Sequence, residues 1–183
     1  MLYLTSVENS HDSPLLDALL SRIAAGDRQA LAQFYEQTRA ATYGYALSVL
    51  KNEQDAQDAV HDCYLLIVKS ASSYTSQGKP MAWVFTILKN ICLRKLRERK
   101  KQSDSDSEIY GFELCEEMNA DDRLVLTACM RHLSDEERQI VVLHAVAGFR
   151  HREIAKALDM PLATVLSKYH RSLKKLKAIL EKE

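Results

Sequence analysis

From Pro14 onward, apolar residues recur at intervals of three and four, the spacing of one face of a helix. Leu15, Leu16, Leu19, Leu20 and Ile23 predict a first helix that stops near Gly26. A second runs from about Asp27 to Leu50, marked by Leu31, Phe34, Tyr35, Tyr43, Ala46, Leu47 and Leu50. Asn52 has the chemistry to cap a third, with Ala56, Ala59, Val60, Cys63, Tyr64, Ile67 and Val68 as its packed positions. The stretch "SSYTSQGKP" (72–80) reads as a loop, and Pro80 suits the first turn of a fourth helix over about 80–101. That helix is apolar almost all round as far as Leu96 and then abruptly basic. Such a pattern places one end centrally in a bundle and leaves the other exposed.

Periodicity stops at "SDSDSEIYGFELCEEMNA" (103–120), whose serines and acids predict an extended, flexible acidic linker. A second module begins near Asp121. In it, Ser134 and Glu137 have the spacing of a capping box for the helix "DEERQIVVLHAVAG", closed by Gly148. Two shorter helical patterns follow in "GFRHREIAKALDMPLATVLSKYHRSLKKL" (148–176), interrupted at Asp159–Leu162. The expected fold class is all-α: two small helical domains, at 14–102 and 121–183, on either side of the linker. Five Gly and three Pro in 183 residues are too few for a turn-dense all-β chain, and 46% hydrophobic residues suffice for buried cores.

Net charge is zero, yet the charges are segregated. Residues 89–102 carry seven bases against Glu98, residues 104–122 carry eight acids and no base, and residues 150–177 carry eight bases against two acids. Two anion-facing surfaces separated by an acidic stretch follow from this distribution. On a helical wheel of 163–180, Val165, Leu166, Tyr169, Leu173, Leu176 and Leu180 form an apolar stripe, with Ile154, Ala155 and Leu158 of the preceding helix as its partners. The opposite face carries Thr164, Ser167, Arg171, Lys174 and Lys175, with Lys168 and His170 at its margins. Hydroxyls early and cations late suit a helix lying in a major groove, its first residues near bases and its later ones near phosphate.

With these residues in view, "EIAKALDMPLATVLSKYHRSL" resembles region 4 of the bacterial sigma-70 family, in particular its extracytoplasmic-function (ECF) type. "GDRQALAQFYEQ", "DAQDAVHDCYLLIVK" and "WVFTILKNICLRKLRERKK" resemble, in order, the opening, the polymerase-binding stretch and the promoter-melting helix of region 2. The resemblance runs from about Leu16 to Leu180. It implies an ECF-type sigma factor whose partners are core RNA polymerase, promoter DNA and, in some members, an anti-sigma protein. Asp55, Asp58 and Asp62 share a helix face by their spacing, and the resemblance makes them the polymerase-binding residues. It likewise assigns the −10 element to Lys89, Asn90, Arg94 and Arg97, and the −35 element to Thr164, Ser167, Lys168, Arg171 and Lys174. Trp83 and Tyr74 are assigned to the core rather than to base stacking.

Other functions fit poorly. Cys63, Cys92, Cys115 and Cys129 form no CxxC, so neither a disulfide framework nor a zinc site is expected. "HD" at 61–62 lacks the further ligands of a metal-dependent hydrolase, and no phosphate loop or nucleophile–base pair is visible. The expectation is a non-enzyme without cofactor or metal, cytoplasmic and without direct membrane insertion. The alternative is a helix–turn–helix regulator that does not act as a sigma subunit.

Overall fold

The computed structural model describes residues 13–76, 78–102 and 131–180. Among them every regular element is helical. The chain divides into two compact units, residues 1–110 and 111–183. The sequence expectations for the linker at 103–120 and for the start of the second module at Asp121 lie outside the described residues.

In the first unit, α1 (Ser13–Ala24), α2 (Arg28–Leu50), α3 (Glu53–Ser70) and α4 (Pro80–Gln102) form a bundle, with a single 3₁₀ turn at Ala71–Ser73. Asp27 starts α2 by accepting the amides of Gln29 and Ala30, and Arg22 clamps its carboxylate at 2.7 Å. The Ala30 amide and the Arg22 guanidinium together hold the Asp27 carboxyl below its ordinary range. Between α2 and α3 the turn is only two residues long. Lys51 ends α2 in the left-handed conformation (φ 55°), returning its amide to the Leu47 carbonyl, and Asn52 caps α3 by accepting the Asp55 amide.

Leu16, Leu19, Leu20, Phe34, Leu47, Leu50, Ile67 and Leu88 are the largest side chains fully buried in the core of the first unit. Two buried threonines cross it without leaving a polar atom stranded: Thr38 Oγ1 donates to the Phe34 carbonyl and lies 2.6 Å from the Tyr64 hydroxyl, with Thr42 Oγ1 at 3.3 Å from it. Two expectations are corrected here. Leu15 and Val68 face outward, and α4 is not apolar all round, because Ala82, Thr86, Asn90 and Leu93 are exposed.

The second unit contains α5 (Asp135–Val141), a π-helical turn at Val142–Val146, α6 (His151–Ala157) and α7 (Leu162–Leu180). Both bonds of the expected capping box are present: Glu137 N donates to Ser134 Oγ and Ser134 N donates to Glu137 Oε2. The single helix expected over 135–148 instead widens after Val141, where the Ala147 amide reaches back five residues to the Val142 carbonyl. Gly148 (φ 71°) then turns the chain into α6. Asp159 (φ 54°) makes the left-handed turn into α7 without a glycine. Ile154, Ala155, Val165 and Leu176 are buried where α6 and α5 meet α7.

Glu137 is buried, and Lys175 of α7 reaches it at 2.7 Å. Burial alone would raise its pKa, but the Lys175 ammonium and the Ser134 bonds outweigh burial and hold the carboxyl below its ordinary 4.5. Its stabilising contribution is therefore complete above 4.5 and is lost as pH falls through the lower folded value. Replacing Lys175 by Met strands a buried carboxylate at a cost of about 1–3 kcal/mol. Hydrogen exchange in α5 and α7 should quicken accordingly near neutral pH, and acid-induced opening should begin at a higher pH than in the parent chain. Unchanged protection would show that the pair contributes nothing.

Candidate nucleic-acid interface

On the first unit, the exposed stripe of α4 runs through Ala82, Thr86, Asn90, Leu93, Arg94 and Arg97, all within one side of a helix at about 100° per residue. Three of the four candidate residues for the −10 element, Asn90, Arg94 and Arg97, lie on it. Lys89 is half-buried and sits at the margin of the stripe. Tyr74 and Trp83 pack on each other at 4.9 Å, and the Tyr74 hydroxyl donates to Asp17 of α1. Both rings are thus engaged within the bundle.

The three aspartates chosen from α3 do share a face, and the structure shows what lies opposite. Asp55 pairs with Arg99 at 2.6 Å, Asp58 with Lys95 at 3.5 Å and Asp62 with Arg94 at 3.6 Å. As the number rises along α3 it falls along α4, so the two helices run antiparallel and are joined by a ladder of ions. Arg99 also donates to the Leu50 carbonyl at the end of α2, tying three helices together. Asp58 nonetheless keeps 59% of its side chain exposed. Arg94 is also within 4.0 Å of Glu98. The ladder was illegible in sequence, where the same residues read as two unrelated charged faces.

On the second unit, Ser167, His170, Arg171 and Lys174 project outward from α7, with Thr164 half-buried beside them. Lys168 does not join this group. Its ammonium turns to Glu136 of α5 at 2.7 Å and its side chain is 21% exposed. Sequence reasoning also passed over Arg150, Arg152 and Lys156, which are exposed on α6 and at its start. Their only signal was the excess of bases over the whole segment. At the other candidate chemistry, His61 is exposed and Asp62 belongs to the ladder. Among the described residues, no group of three or more His, Cys, Asp or Glu is placed to hold a metal, and no helix is long and apolar enough to cross a membrane. Cys63 and Cys92 are buried, and burial pushes both thiols up to about 12.

Comparison with known proteins follows the same division. Residues 34–102 match the family described as Sigma-70 region 2, and residues 123–176 match Sigma-70, region 4. The ECF RNA polymerase sigma factor SigK of Mycobacterium ulcerans is 29% identical over 176 residues, covering 91% of this chain and 94% of that protein. SigK of Mycobacterium tuberculosis (strain H37Rv) is 28% identical over 177 residues with the same coverage. Two solved structures share the fold. One is CnrH in complex with the cytosolic domain of CnrY (TM-score 0.58, 20% identity, covering 92% of this chain and 99% of that one). The other is the sigma factor RpoE in complex with the anti-sigma factor NepR from Bartonella quintana (TM-score 0.60, 21% identity, 93% and 96%). With both regions matched in order, and relatives aligned along nearly its whole length, the chain belongs to the ECF type of the sigma-70 family.

Proposed function

We propose that this chain binds core RNA polymerase and directs it to promoters, with α3 meeting the polymerase, α4 holding the −10 element as a single strand and α7 lying in the major groove of the −35 element. The observation that carries this reading is the pair of outward stripes. Each module buries one side of a long helix and presents polar and cationic groups on the other, at Asn90, Arg94 and Arg97 in one and at Ser167, Arg171 and Lys174 in the other. Cations placed this way meet phosphate, while the shorter side chains beside them meet base edges. Lys168 serves the −35 element only if it exchanges Glu136 for phosphate. Asp55, Asp58 and Asp62 offer carboxylates to a basic surface of the polymerase, beside the exposed Leu65, Leu66 and Val68 of α3. The polymerase performs the chemistry and this chain catalyses nothing. It works in the cytoplasm, and an anti-sigma protein is a fitting regulator, since the similar sigma factor RpoE is found in complex with the anti-sigma factor NepR.

Reconstitution with core polymerase decides between this reading and a helix–turn–helix regulator. The chain should yield transcripts from a defined start, whereas a regulator using only its second module would yield none. Asp58→Lys with Asp62→Lys should abolish capture of core polymerase. Because these substitutions also break the ladder, Lys95→Glu with Arg94→Glu is added to restore the ion pairs in reverse. The quadruple variant should regain the stability of the first module and still fail to capture polymerase. Full recovery of capture would show that the aspartates act only within the bundle.

The slope of log affinity against log salt for −35 duplex should be steep and negative. Replacing Arg171 and Lys174 by Ala should reduce it by about two, at roughly one per phosphate contact, and weaken binding to all sequences alike. A slope that does not change places neither residue on phosphate.

A further inference from the structure

Three aromatic rings in the second unit play no part in the interface above. His144 stands in the π-helical turn, His151 opens α6 and Tyr169 lies on the inner side of α7. The two imidazoles lie nearly face to face, 4.1 Å apart and tilted by 33°. Tyr169 sets an edge against each of them at 4.7 Å. Each ring comes from a different segment, so the triangle pins the π-helical turn and α6 to α7 at one point. The π-helical turn makes this possible, since a regular helix through Ala147 would carry His144 elsewhere on the helix circumference.

The protons in the triangle can be placed. His144 Nδ1 lies 2.7 Å from the Phe149 carbonyl, which can only accept, so Nδ1 carries the hydrogen. His151 Nε2 is buried and has no hydrogen-bond partner. A second proton on His151 would place a cation against the His144 ring, with no acceptor for Nε2–H among the described residues. The charged and titratable groups around it leave it no help. From the π-helical turn comes His144. From α6 and its start come Arg150 and Arg152, both exposed cations, and Glu153, whose carboxylate accepts the Arg150 amide. From α7 come Tyr169, whose phenol burial raises and keeps neutral, the exposed His170, and Lys168, which is held by Glu136.

We propose that His144, His151 and Tyr169 form a proton-operated clasp that seats α7 on α6, so that DNA binding by the second module is supported at neutral pH and withdrawn when His151 becomes charged. Tyr169 is the immediate neighbour of Lys168 and His170 and lies two positions from Ser167 and Arg171. Any shift of its seat is therefore passed directly to the DNA-facing side. These three are positioning residues and touch no DNA themselves. The direction of the pH effect follows from the site. Burial first, then the charges of His144 and His170, push the His151 ring below its ordinary 6.5. An unfolded or released ring binds protons that the seated ring refuses, so the clasp is fully formed above 6.5 and weakens as pH falls toward the lower value.

The proposal rests on the reading of the second module as a DNA-binding helix–turn–helix, and two measurements on the full chain keep the two apart. The first follows the histidine rings and backbone amides by NMR as a function of pH and needs no DNA. His151 should titrate below the ordinary histidine range, and the amides of Ser167, His170 and Arg171 should move with that titration. His144→Asn, which keeps an N–H near the Phe149 carbonyl and removes the neighbouring charge, should raise the His151 value. Amides of α7 that are indifferent to His151, or a His151 value that His144→Asn leaves in place, would overturn the clasp.

The second selects duplexes from a random pool at about pH 7.5 and compares their binding at about pH 5.5. The parent chain should bind several-fold more weakly at the lower pH, and His151→Phe, which keeps the ring without the proton site, should bind nearly alike at both. An identical pH profile in His151→Phe would also overturn the clasp. Failure to select any duplex at the higher pH would count against the −35 reading, and the ring titration would still decide the clasp.

Discussion

In both modules a helix rich in cations packs against a helix that supplies acids, and that pairing engages part of the cationic side of each helix. Along α4, Arg94, Lys95 and Arg99 answer Asp62, Asp58 and Asp55 of α3. Along α7, Lys168 and Lys175 answer Glu136 and Glu137 of α5. Among the described residues, Arg97 on α4 and Arg171 and Lys174 on α7 point outward outside these pairs, and Arg94 keeps an exposed side chain despite its pairing. The apolar stripe of each helix sets which side is buried, and the ion pairs reinforce that rotation, because turning either helix would also separate opposite charges.

The pairs differ in how readily they can be exchanged. Ion pairs between exposed side chains contribute about 0–1 kcal/mol in water. Asp62–Arg94, long and exposed on both sides, belongs to that class, whereas Asp58–Lys95 joins an exposed carboxylate to a half-buried ammonium. A phosphate arriving at Arg94 therefore displaces little. Glu137 is different: it is buried, bonded to Ser134 at both ends of the capping box, and gripped by Lys175. It anchors the start of α5 to the middle of α7 and is not available for trade. The first module thus presents, at Arg94, a charge it can release, whereas the second presents a helix anchored by a buried pair. These suit the tasks proposed for the two modules, following a flexible single strand and fitting a groove.

Much of this was legible before any coordinates, because it depends on near neighbours in the chain. Apolar spacing located α1 to α4 and α7, and the caps at Asn52 and Ser134, with Pro80 at the start of α4, fixed their ends. Features that depend on distant residues were not legible. Leu15 and Val68 fit an apolar period and still face outward, because period alone cannot say how wide the buried arc is. Lys51 and Asp159 adopt left-handed turns that ordinarily announce themselves as glycine. The ladder joins residues more than thirty positions apart, and Lys168 is drawn inward by Glu136 from across the unit. The widening at Val142–Val146 has no spacing signature at all, since the apolar residues on either side continue a normal helical period.

That widening affects the interface more than its size suggests. An extra residue in a helical turn rotates everything after it by about 100° relative to a continued helix. Here the rotation delivers His144 to His151 and sends the chain, through Gly148, into α6 at the angle α7 needs. A helix–turn–helix reads DNA only if its second helix is held rigidly by the first, yet α6 has just seven residues and little apolar surface of its own. Ile154 and Ala155 supply most of that surface, and the ring triangle lies at the opposite end of α6 from the turn into α7. A short helix held at both ends cannot pivot, whereas one held at a single end can. The outward hydroxyls and cations of α7 are therefore only as well aimed as the contacts that hold α6.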